Sequence, residues 1–458
     1  MKKIIQFLLV LFIACVFSCN EKEELTNTEN LSLKKGAKNV NDGKLTLCHY
    51  DYELDSWHLI SVDKHAVPAH LKHGDVIIDE DGDGYAVFNN CGELNEDGFD
   101  CDDTDANVNP GAYEIFDDDI DNDCNGKIDD CTYVPDDNFE QALIDLGYDV
   151  PPLDDYVSTI IIEKVTTLNV NNRNICNLTG IESFKALSKL SCRNNQLTTL
   201  DLTNNIALTW LDCPENQLIS LDLATYIVLN YLSCWDNQLT SLDVTNYISL
   251  NILACGYNKL ASLDVTNNTN LTWLGCGNNQ LTTLDVSKNT ALDRLGCMYN
   301  QLTTLDVTKN IALTFLDCGY NKLVSLDVTN KTNLTWLECS NNQLTTLDVS
   351  KNTALDHLSC WDNQLTNFDV TKNIALTFLA CGSNQLGTLN IKNNTALTWL
   401  GCCYDQLTSL DLTNCLFLEH IECWANPSLY CIKVANAAEI PFDYDIDDWT
   451  VFSEDCGY

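Results

Sequence analysis

Two stretches in the first third of the chain carry side chains spaced for coordination chemistry. Asp79-Glu80-Asp81-Gly82-Asp83-Gly84 and Asp121-Asn122-Asp123-Cys124-Asn125-Gly126 both follow D-x-D-x-[DN]-G. Alternate residues of such a loop aim oxygen atoms at one point while the glycine permits a sharp turn, so the pattern suits a hard cation, calcium above all. Neither loop has glutamate at its twelfth position, where Asn90 and Thr132 stand. Further oxygens must come from elsewhere, and Asp100, Asp102 and Asp105 lie between the loops. The expected calcium ligands are therefore Asp79, Asp81, Asp83, Asp100, Asp102, Asp105, Asp121, Asp123, Asn125 and Asp129. From 79 to 131 there are nineteen carboxylates and one lysine, Lys127. Without cations such a segment repels itself and does not compact.

A second set of candidate ligands precedes it. LCHYDYELDSWHLISVDKHAVPAHLKHGD holds five of the seven histidines. Cys48, His49, His58, His70 and His73 offer imidazole and thiolate, which suit zinc or copper. The spacing also fits a purely structural or solvent-exposed segment: adjacent Cys48 and His49 do not readily chelate one ion, and His70 and His73 share a face only if helical.

A third set is aromatic. Cysteines 192, 213, 234 and onward to 423 recur every 21 residues, within L-x-x-L-x-C-x-x-N-x-L followed by T-x-L-D-V. Side chains of a strand alternate between faces, so Leu274 and Cys276 point inward and the residues between them outward. The outward positions expected to form a binding face are Trp210, Tyr231, Trp273, Arg294, Phe315, Trp336, His357, Phe378 and Trp399, with Trp235, Trp361 and Trp424 beyond the cysteines. Exposed indoles in this number call for a partner. Gly275, Gly296, Ala380 and Gly401 would leave grooves between them, lined by Asp212, Asp317 and Glu338. A protein ligand is the first expectation, a glycan or polysaccharide the alternative. A glycosidase using Asp317 and Glu338 is remote: on an open face nothing would shift their pKa values, and no nucleophile-base motif occurs, so a non-enzyme is expected.

The elements that present these sets follow from period and composition. A 21-residue repeat builds a mainly β solenoid, each coil making one short strand and one return, with strands stacked in parallel about 4.8 Å apart. That spacing exceeds the Cβ separation of about 3.8 Å preferred by disulfides, so the cysteine file is expected to be free thiols packing the interior. The Asp file from Asp201 to Asp411 is expected to cap turns on the return side. VPDDNFEQALIDLG, residues 134 to 147, reads as a helical N-terminal cap, with Asp137 and Glu140 as a capping box and Phe139, Leu143 and Leu146 on one face. Residues 427–458 break the repeat, and Cys431 with Cys456 would close a C-terminal cap. The formal net charge of −41 argues against nucleic acid or anionic lipid as partner. The N-terminus MKKIIQFLLVLFIACVFSC has the composition of an export signal, so any membrane link would be at that end alone.

Three resemblances sharpen this. Val16-Phe17-Ser18-Cys19 resembles the lipobox of bacterial lipoproteins, which implies lipidation at Cys19, and the acidic residues up to Glu24 resemble tags that send such lipoproteins to the outer surface of the outer membrane. FDCDDTDANVNPGAYEIF and DNDCNGKIDD resemble a metal-binding motif of bacterial surface proteins named for a copper-binding relative. Copper does not carry over, since carboxylate oxygens favour calcium. The motif usually has cysteine where Phe116 stands, so pairing among Cys91, Cys101, Cys124 and Cys131 stays open. The 21-residue copies resemble the leucine-rich repeat with cysteine in the third leucine place, and VTTLNVNNRNI from 165 resembles the opening repeat of internalin-type proteins. That implies an asparagine ladder from Asn195 to Asn384, with Asp405 the exception, and a monomeric adhesion protein. The expected organisation is a signal peptide at 1–18, a tether at 19–44 and a His/Cys-rich segment at 45–75. The calcium module follows at 76–131, a cap and first repeat at 132–185, leucine-rich repeats at 186–426 and a closing cap at 427–458.

Overall fold

A computed structural model describes residues 44–458, apart from 52–55, 64, 78–80, 82, 84, 86–87, 91–92, 95–99, 114, 116–117, 119, 129 and 224–227. Cys19, Asp79 and Asp129 thus lie outside the described residues. The chain divides into two compact units, Met1–Asp129 and Asp130–Tyr458. Among the described residues no helix is long and apolar enough to cross a membrane.

In the first unit, β1 (Lys44–Asp51) is the centre of a three-stranded antiparallel sheet, between β2 (Ser56–Asp63) and β3 (Val76–Ile77), with the single-turn helix α1 (Val67–Leu71) leading from β2 towards β3. A disulfide joins Cys101 to Cys124. That settles one pairing that spacing left open.

The second unit is the solenoid. A fourteen-stranded parallel sheet runs from Thr167–Asn169 to Asp443–Asp445 in unbroken register, each coil contributing three residues such as Trp273–Gly275. Leucine and cysteine do point inward. Leu274, Cys276 and their counterparts are fully buried, and all twelve cysteines of the file are free. Burial pushes the thiols from Cys192 to Cys381 up, Cys276 to about 12, so they are held as inert thiols.

Two files of asparagine close the turns. At one, Asn279 donates to the carbonyls of Cys255 and Cys276 (3.0 and 3.1 Å) and accepts from Leu260 N–H at 2.9 Å. Each ladder residue therefore ties its own coil to the one before, and buried backbone groups are satisfied. The second file, on the return side, was not singled out from sequence. Asn268, Asn289, Asn310, Asn352, Asn373 and Asn394 are fully buried, and Asn289 donates to Val265 O and Asn268 O (2.9 and 2.8 Å). Its 21-residue recurrence was legible all along. Lys331 occupies this file in one coil, with Nζ on the Asn330 side-chain oxygen. The Asp file does cap turns: Asp264 Oδ1 accepts from Thr266 N–H and Oγ1–H at 2.9 and 2.7 Å.

Asp405 replaces asparagine in the first ladder. It accepts from Leu386 N–H at 3.0 Å, but its Oδ2 is buried without a partner and burial pushes its carboxyl up to about 7. A carboxylate lacks the donors that Asn384 gives to Cys360 O and Cys381 O. Asp405→Asn restores donors towards Cys381 O and Cys402 O. We expect it to raise thermal stability by about 2–3 kcal/mol at pH 8. The folded form keeps its proton to higher pH than the unfolded form, so the gain shrinks as pH falls below about 7 towards 4, where both forms are protonated. Melting temperatures of both proteins at pH 4 and 8 check this; an equal or lower value for the variant at pH 8 refutes it.

The ends are sealed as expected, with one correction. Helix α2 (Asp137–Leu146) is capped by Asp136, not Asp137: the Asp136 side chain accepts from Asn138 N–H and Phe139 N–H. Its other oxygen takes Cys176 N–H and Asn177 N–H (2.7 and 2.9 Å), fastening the helix to the first repeat. Glu140 does not reach back in a capping box; it is buried and accepts from Asp154 N–H and Asp155 N–H. Phe139 and Leu143 are in the core, whereas Leu146 is exposed and Ala142 takes its place. Cys431 and Cys456 form the disulfide of the closing cap, where Tyr458 donates its hydroxyl to Leu410 O at 2.9 Å.

Candidate functional site

Three outward columns run along the sheet. The first contains Trp210, Tyr231, Ile252, Trp273, Arg294, Phe315, Trp336, His357, Phe378 and Trp399, extended by His420, each in register with the next. Its rings do not stand free in water. Phe315, Trp336, His357, Phe378, Trp399 and His420 stack continuously, with successive centroids 5.7, 3.4, 4.2, 4.4 and 6.4 Å apart. Trp210 and Tyr231 form a separate pair at 4.8 Å. Parallel strands one ladder step apart bring like side chains within stacking distance, and each aromatic pair adds about 0.5–1.5 kcal/mol. The indoles are accordingly half-buried. Burial pushes His357 down to about 3, so it remains a neutral member of the stack.

The rings lean over the second column. A Cβ added at Gly401 would run into the Trp399 ring; in the third column, one at Gly382 would run into Cys403 O and the ring of Trp361. The groove expected at Gly401 is therefore filled by indole, and Ala380 is buried as well. At Gly296, by contrast, an added Cβ would meet nothing within 4 Å. This open space, over a glycine that is itself buried, lies where the stack is interrupted, since Arg294 separates Trp273 from Phe315. Tyr299 and Tyr320, stacked at 4.0 Å, flank the same coils and were not picked out from sequence. Of the third column, Trp424 is 37% exposed and Trp235 carries the Arg193 guanidinium 5.3 Å from its ring.

The expectation that nothing would shift Asp317 and Glu338 is wrong. They are opposite each other in adjacent strands and only 7% and 9% exposed. Burial, then the charge of Glu338, pushes Asp317 up to about 8, and burial raises Glu338. Their burial and their pairing across adjacent strands come from neighbouring coils, which single-coil reasoning could not supply. Asp212 is also raised by burial and accepts from Ser191 Oγ–H at 3.2 Å.

In the first unit, Asp81, Asp83 and Asp100 present oxygens within 4.8 Å of one another. Asp100 is completely buried, and Oδ2 of Asp81 and of Asp100 have no hydrogen-bond partner. Burial raises both carboxyls, with Asp83 and Asp102 adding repulsion at each and Asp105 at Asp81. An all-oxygen donor set with orphaned buried oxygens fits a hard cation. Asp121 instead wraps its own loop, accepting from Asn125 N–H and Gly126 N–H (2.9 and 2.8 Å), and Asp123 accepts from Asn125 N–H.

The His/Cys set is corrected. Cys48 is disulfide-bonded and cannot act as a thiolate ligand. His58 bonds Ser56 Oγ, and His73 is exposed outside any cluster of ligating atoms among the described residues. His49 and His70 do converge, on Asp75, which was not counted. Burial works against the Asp75 charge, but the hydrogen bonds of the two imidazoles outweigh it and hold the carboxyl below its usual range.

Comparison with known proteins places both halves. Residues 100–130 match a family described as "Putative metal-binding motif", whose label refers to copper. Over 73 residues the chain is 39% identical to Internalin J of Listeria monocytogenes serotype 4b (strain F2365); the match is 16% of this chain and spans only 8% of that protein's length. The solved functional domain of InlJ from Listeria monocytogenes, which includes a cysteine ladder, superposes with a TM-score of 0.53 at 34% identity, covering 66% of this chain and 76% of that one. An internalin, inlF, of strain 4b F2365 shares the fold at 20% identity, with a TM-score of 0.60 over 69% of this chain and 96% of its own.

Proposed function

We propose, for a chain that belongs to the internalin-like leucine-rich repeat proteins and carries a metal-binding motif at residues 100–130, that it is a non-enzymatic surface recognition protein. Its ligand is a protein, and the centre of contact is the open floor at Gly296 with Trp273, Arg294 and Phe315 around it. The observation that carries this reading is the interruption there of an otherwise self-covering aromatic face. Recognition hot spots favour aromatic and arginine anchors beside a pocket. A glycan is the weaker reading, because sugars stack on open ring faces and the faces from Trp336 to Trp399 are taken by neighbouring rings. Hydrolysis is weaker still: a glycosidase needs two carboxyls whose environments push their pKa values apart, and here both are pushed up.

Lipidation at Cys19 would tether the protein to the outer membrane at the cell surface, and calcium held by Asp81, Asp83 and Asp100, with Asp102 and Asp105, would stiffen the module before the repeats. Copper does not suit these oxygens. The test is capture of surface proteins and polysaccharides by the full chain, with and without calcium. Protein capture lost on changing Trp273 is expected; capture of polysaccharide alone would overturn the reading. Limited proteolysis checks the cation. Chelation should open new cuts between 79 and 131 and leave the repeats intact, and an unchanged cutting pattern would refute calcium.

A further inference from the structure

Asp75 is 5% exposed, and its carboxylate receives two imidazoles from different elements. Nδ1 of His49, on β1, lies 2.9 Å from both Oδ1 and Oδ2; Nδ1 of His70, on α1, lies 2.7 Å from Oδ2. The antiparallel register of β1 with β3 pairs Cys48 with Val76, so one step further brings Asp75 alongside His49. The disulfide at Cys48 anchors the neighbouring backbone. The two nitrogens and a carboxylate oxygen are within 4.8 Å of one another, while the His49 and His70 side chains keep 39% and 28% of their surface in water. An ion could reach this cluster and retain a water molecule.

We propose that His49, His70 and Asp75 form a transition-metal site of the zinc class, with one coordination position open. Two imidazoles and one carboxylate suit zinc, cobalt(II) or copper(II) and disfavour calcium, whereas the cluster of Asp81, Asp83 and Asp100 has the opposite preference. Ligand atoms around a tetrahedral ion with bonds of about 2.0–2.1 Å stand about 3.3 Å apart. Entry of the ion therefore requires each Nδ1 to withdraw about half an ångström from Asp75. Each imidazole loses its Nδ1 proton and carries one on Nε2, remaining neutral. Of the other histidines in this unit, His58 is held by Ser56 and His65 by Asp63 at 2.7 Å; in the second unit His420 belongs to a separate set with Glu422 and Asp445. Were Asp75 only a structural clamp for two imidazoles, no metal would bind.

The test is titration of the full chain with cobalt(II), with calcium in excess to fill the carboxylate loops. One equivalent should give the visible bands of a tetrahedral site, and zinc should abolish them. His49→Gln and His70→Gln keep an amide donor for Asp75 and should each weaken cobalt by more than about 100-fold, beyond the range lost on removing a ligand's orienting partner. Zinc should also protect His49 and His70 of the unaltered chain from acylation by diethyl pyrocarbonate, read by mass spectrometry, which needs no variant to fold. Absence of bands and of protection in the unaltered chain overturns the proposal. So do bands that survive both glutamine variants, or that vanish only when Asp81 and Asp100 are changed to Asn.

Discussion

Asp317→Asn should raise the melting temperature of the repeat array by roughly 5 °C at pH 9 and leave it almost unchanged at pH 4. Asp317 and Glu338 oppose each other across two strands and are both buried, and burial pushes Asp317 up to about 8. The unfolded carboxyl titrates near its ordinary value of 3.8. Between about 4 and 8 the folded chain thus holds a proton that the unfolded chain has released, and stability falls as pH rises through that window. Above it the full penalty is present, on the order of 3 kcal/mol. The amide removes this penalty and the repulsion on Glu338, and its oxygen still accepts from Gly319 N–H, now 3.2 Å away. Thermal unfolding of both proteins across pH 4 to 9 measures it. A difference that does not grow with pH would show that the pair is solvated.

Trp273→Ala should weaken capture of the protein ligand by about 30-fold or more and leave the stability of the array within about 1 kcal/mol. Trp399→Ala should do the reverse, costing about 1–3 kcal/mol of stability with a smaller loss of binding. The contrast comes from neighbours. Trp399 is held between Phe378 and His420 and rests against Gly401, whereas Trp273 lies between Ile252 and Arg294, beside the open floor at Gly296. A ring stacked on aromatic neighbours at both faces contributes to the sheet; one where the aromatic stack is interrupted contributes to a ligand. Changing Trp273, Trp336 and Trp399 together should abolish capture while the circular dichroism of the sheet persists. Equal binding by Trp273→Ala and the parent protein would place the contact elsewhere.

Much of the candidate site was legible because strand alternation is a local rule. Trp273, Leu274, Gly275 and Cys276 each take the side that the two-residue period assigns them. Less was legible where a side chain's surroundings come from the next coil or from another element. Asp317 reads as a surface carboxylate within its own repeat and is buried, opposite Glu338, only in the assembled sheet. Asp75 carries no signal in sequence as a ligand, since its partners lie 26 and 5 residues away and meet it only through the β1–β3 register.

The sequence by itself determined the solenoid, its 21-residue coil, the inward thiol file, the outward aromatic column, the closing Cys431–Cys456 bond and the oxygen-rich loops. Each depends on period, alternation or composition, which act over a few residues and repeat without change. The tertiary structure alone decided which rings shield one another, which glycine stays uncovered, how Cys101 pairs, and that Cys48 gives way to Asp75 beside the two histidines. Those outcomes depend on burial and on distances between segments far apart in the chain, and burial belongs to the assembled neighbours rather than to any residue.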